Sequence, residues 1–235
     1  IRADKRFKNG LTLLFAYTNS KLIDDCSSAV NFLGTIAGTH LDIYNWKLER
    51  SLSSFDISQR AVISYIYELP FGRNRALLSN LPGWLDTVVK GWQVSGITTL
   101  QRGLPLIVGG VTNNTNIFTV SQRANNNGRS AFIDHSGHSK DQRMAKWFDH
   151  TVFSQPPAFT IGNLARTLPD VRAPGTNITD LALMKNTYFG PEQRYNFQLR
   201  AEAFSAFNHF NLGSPTTSIT SGNVGTITSG GGTRS

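Results

Sequence analysis

Between Arg194 and Ala203 the chain reads Arg-Tyr-Asn-Phe-Gln-Leu-Arg-Ala-Glu-Ala, apolar at every odd position and polar at every even one. Side chains along a strand point alternately to opposite faces, whereas a helix, repeating about every 3.6 residues, would scatter the same pattern around its circumference. The run therefore predicts a strand. Tyr195, Phe197, Leu199, Ala201 and Ala203 occupy one face, and Arg194, Asn196, Gln198, Arg200 and Glu202 the other.

Shorter alternations recur upstream. Ala61 to Leu69 places Ile63, Tyr65, Tyr67 and Leu69 on one face and Ser64 and Glu68 on the other, before Pro70-Phe71-Gly72 ends the run. Trp92 to Arg102 is rich in Thr, Val and Ile and closes at Gly103-Leu104-Pro105. Lys8-Asn9-Gly10, between Ile1–Phe7 and Leu11–Thr18, is a strong hairpin signal, because Asn-Gly suits the left-handed turn that joins twisted strands. Gly190-Pro191 marks a second turn, between Leu181–Tyr188 and the clearest strand. Strands are thus expected near 1–7, 11–19, 58–69, 89–103, 177–188 and 193–207, an all-β, up-and-down antiparallel arrangement.

The connections alternate between short and long. Those at 8–10 and 189–193 are short and the one at 70–87 is intermediate, while 20–57 and 104–175 are long and rich in Asn, Ser, Gly and Pro. Asn113-Asn114-Thr115-Asn116 and Asn125-Asn126-Asn127-Gly128 are examples. Strict up-and-down counting puts both long loops, and the tail from 208 to 235, at one end of the sheet. A transmembrane β-barrel in the bacterial outer membrane has this asymmetry, with short periplasmic turns and long extracellular loops. Lipid cannot satisfy an open sheet edge, and bacterial barrels have at least about eight strands, so the chain is expected to be a piece of a larger barrel completed by strands upstream of Ile1. The competing expectation is a soluble β-sandwich or adhesin-type module that binds glycan or protein through its aromatic loops.

Composition excludes some functions. No run approaches the roughly eighteen apolar residues of a transmembrane helix, and the mean hydropathy of −0.23 suits strands that alternate. The net charge is +8, but the cations stand singly, as at Arg102, Arg123, Arg129, Lys146 and Arg166, so no nucleic-acid arm is expected. Cys26 is the sole cysteine, which leaves no disulfide framework. There is no Gly-x-Ser-x-Gly elbow, no phosphate loop and no assignable carboxylate pair, so no enzyme and no cofactor are expected. His135 and His138, near Asp134, have no spacing that fixes a metal on one face, and no metal site is assigned.

Several phrases, in order, resemble the C-terminal part of the barrel of TonB-dependent outer-membrane transporters, in particular the Oar-like group with its carboxypeptidase-regulatory-like domain. They are Arg2-Ala3-Asp4-Lys5-Arg6-Phe7-Lys8-Asn9-Gly10-Leu11 with Ala16-Tyr17-Thr18, then Phe55-Asp56-Ile57-Ser58-Gln59-Arg60 leading into Tyr65-Ile66-Tyr67-Glu68-Leu69-Pro70-Phe71-Gly72. Gly91-Trp92-Gln93-Val94-Ser95-Gly96-Ile97 with Gln101-Arg102-Gly103-Leu104-Pro105 follows, then Trp147-Phe148-Asp149 with Phe153, and last Arg200-Ala201-Glu202-Ala203-Phe204 with Phe207-Asn208-His209. The resemblance covers nearly all of 1–235. It implies a barrel of about 22 strands around an N-terminal plug, energised through TonB, that captures a ligand on its outer loops and imports it. Plug, TonB-contacting segment and the family's final strand are expected to lie outside this sequence.

The candidate ligand-contacting residues are accordingly the lumen row Arg194, Asn196, Gln198, Arg200 and Glu202, and the loop aromatics Trp147, Phe148 and Phe153. The expected partners are outer-membrane lipid, the upstream strands and plug, TonB, and an imported ligand whose identity the sequence does not carry. Tyr65, Tyr67, Trp92, Tyr195, Phe197 and Phe204 are expected on the lipid face, where aromatic rings settle at head-group level.

Overall fold

The computed structural model describes residues 1–26, 41–42, 44–73, 75–115 and 122–231. Parts of the 20–57 loop, Asn116 and the tail from Gly232 to Ser235 lie outside the described residues. One antiparallel sheet of six strands runs through the chain in sequence order. Its strands are β1 (Arg2–Arg6), β2 (Leu11–Asn19), β3 (Gln59–Glu68), β4 (Trp92–Gln101), β5 (Thr176–Phe189) and β6 (Tyr195–Ala203). Each pairs only with its neighbours in sequence, so β1 and β6 are open edges among the described residues. All six coincide, to within a few residues at their ends, with the strands expected from the sequence.

Register fixes which residues share a face. Leu13 pairs with Tyr65, Tyr65 with Gly96, Gly96 with Leu181, and Leu181 with Ala203. The neighbouring row joins Leu11, Tyr67, Val94, Leu183 and Ala201. These rows form one apolar face, and Phe15, Ile63, Phe197 and Leu199 extend it. The opposite face carries Thr12, Ser64, Ser95, Gln93, Asn186, Asn196, Gln198, Arg200 and Glu202, interrupted by Leu14, Val62, Ile66, Ile97, Met184 and Tyr188.

Among the described residues no second layer covers the apolar face. Tyr195, Phe197 and Leu199 are 53%, 61% and 54% exposed, and every residue of β6 is exposed. A water-soluble sandwich would bury these rings, because each aromatic side chain left in water forgoes roughly 1.5–3 kcal/mol. The sheet is therefore an open part of a barrel whose apolar side requires lipid. In its middle the Tyr65 ring lies across Gly96, where an added Cβ would come within 2.6 Å of the ring. Tyr65 thus fills the gap left by glycine in mid-sheet, while Trp92, Tyr67 and Tyr195 sit toward the short-turn end.

The two short connections and the intermediate one lie at one end. Phe7–Gly10 closes β1 to β2, with Gly10 at φ +83°, and Gly190 at φ +85° opens the β5–β6 turn. Between β3 and β4, helix α1 (Gly83–Val89) packs beside the strand ends. Its Asp86 takes the Arg73 amide, which outweighs desolvation and holds the carboxyl below its ordinary range. Lys185 is on the apolar face, yet its ammonium donates to the carbonyls of Thr87 and Lys90, each at 2.9 Å, where the end of α1 offers unpaired acceptors.

The long connections meet at the other end and form a cap with its own core. Phe148, Val152, Leu164, Leu168, Val171, Ala124 and Leu106 are buried together there. Apart from Gly96 and Thr179, no residue of the six strands is buried.

Candidate functional site

β6 presents its polar row as a continuous wall. Asn196, Gln198, Arg200 and Glu202 share a face, and Gln198 donates to Asn186 on β5 at 2.9 Å. Arg200 and Glu202, two residues apart on the same strand and face, form an ion pair. Arg194 departs from expectation. The residue falls in the turn with helical angles (φ −63°, ψ −25°), its amide donating to Pro191, because Glu192 and Gln193 adopt left-handed conformations that reverse the chain before β6 begins. It does not belong to the wall.

The cap stands at the long-loop end of this wall. The sequence marked Trp147, Phe148 and Phe153 as ligand-facing, and burial corrects two of the three. Phe148 is 0% and Phe153 8% exposed, their rings meeting edge to face at 6.2 Å between centroids, so they hold the cap together and are not open to a ligand. Trp147 is half-buried. Its indole N–H donates to the Arg172 carbonyl at 2.7 Å, and its ring stacks on His135 with centroids 4.7 Å apart. His135 also meets the Trp147 carbonyl through Nε2 at 2.9 Å, and its ring lies edge-on to His138. Nearby, Asp134 accepts from the hydroxyl and amide of Ser136, which keeps its carboxyl below the ordinary range. Among the described residues no three His, Cys, Asp or Glu side chains converge to hold a metal. Cys26 is half-buried in the first long loop.

A feature invisible in the sequence fastens the cap. Three arginines of the second long loop each meet an acid of the first, pairing Arg123 with Glu49, Arg166 with Asp24 and Arg172 with Asp56. Each guanidinium also donates to a backbone carbonyl, Arg123 to Leu48 at 2.8 Å, Arg166 to Asp24 at 3.0 Å and Arg172 to Asp56 at 2.9 Å. Glu49 and Asp56 are buried, and breaking such a pair leaves an uncompensated charge worth about 3–5 kcal/mol. Burial opposes the charge on Asp56, but hydrogen bonds from Arg172 and the Leu22 amide outweigh it and hold the carboxyl below its ordinary value. The third segment joins through backbone bonds, Trp147 donating to Gly225 at 2.7 Å and Ile227 to Met144 at 2.8 Å. The scattered cations that argued against nucleic-acid binding are, in part, these clasps. Their partners lie 74, 142 and 116 residues away, so no local pattern points to them.

With one apolar face uncovered, one polar face and all long loops gathered at one end, the geometry is that of a membrane β-barrel wall. The chain matches the family described as outer membrane beta barrel domain over residues 1–235 and belongs to it. This places it in the bacterial outer membrane, with the apolar face toward lipid, the polar face toward the lumen and, by the usual loop asymmetry, the cap outside the cell. Searches of curated proteins and of solved structures each returned no match.

Proposed function

We propose that the chain is part of the barrel of a TonB-dependent, Oar-like outer-membrane transporter, in which the cap captures a ligand and the polar wall lines its energised passage inward. The observation that carries this reading is the cap itself. Porin-like diffusion needs an open mouth, whereas here the long loops are drawn into a buried core and clasped by three Arg–acid pairs at the end of the lumen wall. The ordered phrases from Arg2 to His209 support the finer family assignment. The partners proposed are a plug and further strands of the full-length protein, TonB, and an imported ligand; no catalytic chemistry is assigned to the chain.

The test uses the full-length protein. In planar bilayers it is expected to give no steady conductance, because a plug fills the lumen, and it is expected to be captured by the periplasmic domain of TonB. A steady open-channel conductance together with no TonB capture would replace the transporter reading with that of a passive pore.

A further inference from the structure

At the short-turn end, the connection between β3 and β4 carries large apolar side chains into the open. Trp84 on α1 is 71% exposed, and Val88, Leu77 and Leu78 of the same connection are each more than half exposed. The other two turns at this end expose polar residues instead, Lys8 and Asn9 in the first and Glu192, Gln193 and Arg194 in the second. α1 also hides its one acid. Asp86 is buried, accepts the Arg73 amide and pairs with Lys90, so the helix shows no uncompensated charge beside its apolar residues.

Helix geometry and strand register together tell which way the open stripe faces. At about 100° per residue, Trp84 and Val88 stand one above the other and roughly opposite Asp86, which points into the turn at Gly72 and Arg73. Two side chains from the sheet reach α1 on the flank away from Asp86. The Trp92 indole N–H donates to the Val88 carbonyl at 3.0 Å, and the Lys185 ammonium to the Thr87 carbonyl at 2.9 Å. Trp92 and Lys185 are cross-strand partners on the apolar, lipid-directed face, with the ammonium 5.5 Å from the centre of the Trp92 ring. The Trp84–Val88 stripe therefore continues the lipid-directed face beyond the strand ends.

We infer that α1 is an interfacial foot of the barrel, whose Trp84–Val88 stripe inserts into the phospholipid leaflet on the periplasmic side. An indole settles at head-group depth because its apolar body is buried there while its N–H still meets a polar partner, and a helix with one uncharged apolar stripe lies in the plane of the interface. Trp92 and Lys185 would hold the foot at a fixed height against the wall. This placement depends on the orientation of the sheet in the membrane, not on the transport reading.

The test takes the full-length protein in phosphatidylethanolamine–phosphatidylglycerol vesicles, carrying Cys26→Ser and a nitroxide attached at Trp84→Cys, at Val88→Cys or, as reference, at Lys8→Cys in the β1–β2 turn. Collisions with oxygen, which concentrates in lipid, are compared with those of a nickel chelate, which stays in water. On α1 oxygen should dominate at both sites, with nickel collisions about fivefold rarer than at Lys8→Cys. Because a label can draw itself toward lipid, the unlabelled protein gives a second reading. Phospholipids brominated near the head group should quench part of its tryptophan emission, and Trp84→Phe should lose part of that quenching. Nickel access at both α1 sites equal to that at Lys8→Cys would leave the helix in water, and shielding from both reagents would cover it with protein. Either result, or quenching unchanged by Trp84→Phe, would overturn the proposal.

Discussion

The six-stranded sheet and the cap belong to one chain but are built for different solvents. Across the sheet both faces are open, and cohesion comes from the ladder between neighbouring strands. In the cap, apolar side chains are gathered inward around Phe148 and Leu168, and buried charge is paired. The difference follows from where each part puts its backbone. A strand in hydrocarbon must satisfy every amide and carbonyl internally but gains nothing by hiding its apolar side chains from lipid, so alternation alone suffices. A loop region in water must bury apolar surface to become ordered, so it needs a core and contacts between distant segments.

The largest expected effect tests whether the two parts hold independently. Phe148→Ala empties the centre of the cap core and should cost about 3–5 kcal/mol there. On intact cells, protease cleavage within 104–175 should rise sharply while the barrel keeps its heat-modifiable migration in gels. Loss of that migration as well would mean that the sheet relies on the cap, and the division drawn above would be wrong.

Next comes the orientation of the wall. Ile63 and Ser64 are adjacent in the middle of β3 and point to opposite faces. Ile63→Arg places a charge toward hydrocarbon and should destabilise the barrel by about 2–4 kcal/mol, read from urea unfolding in lipid vesicles. Ser64→Arg faces the lumen and should cost much less. Equal costs would indicate that the faces are assigned wrongly.

Acid should affect the cap and spare the wall. Asp56 has its carboxyl held below the ordinary value, so its contribution is fully present above that value and is lost as pH falls through the lower, folded one. Protease sensitivity of the cap should therefore rise as pH drops below the ordinary carboxylate range, and Asp56→Asn should flatten that rise. An unchanged acid response in Asp56→Asn would assign the acid sensitivity to other groups.

How much of this was legible in the sequence divides along the same line. Every strand of the sheet was visible because its signals are local: period-two alternation in Ala61–Leu69 and Arg194–Ala203, and turn residues such as Asn9-Gly10 and Gly190-Pro191 that bound the others. The cap was visible only as length and composition. Its order depends on contacts such as Arg123 with Glu49 and Arg166 with Asp24, which no neighbouring residue announces. Aromatic residues in that loop looked like ligand contacts because an exposed ring and a core ring have the same letter. Phe148 and Phe153 turned out to be the core, and only Trp147 borders open space. Arg194 was misplaced by one residue, since the left-handed turn at Glu192 and Gln193 is invisible to a polarity pattern.

The smallest expected effect compares two pairs of the same chemistry in the two regions. Arg200 with Glu202 and Arg172 with Asp56 are both arginine–carboxylate contacts, yet the first lies on the open lumen wall and the second inside the cap. An exposed pair gains little, because water already solvates both charges and salt screens them, so Glu202→Gln should change stability by less than about 1 kcal/mol. Arg172→Met, which strands the buried Asp56 charge, should cost about 3–5 kcal/mol. Unfolding of both variants at low and high salt checks this directly. If Glu202→Gln proved as costly as Arg172→Met, the lumen wall would have to be a dry, tightly packed environment, and the comparison between a solvated sheet face and a buried cap would fail at its polar side.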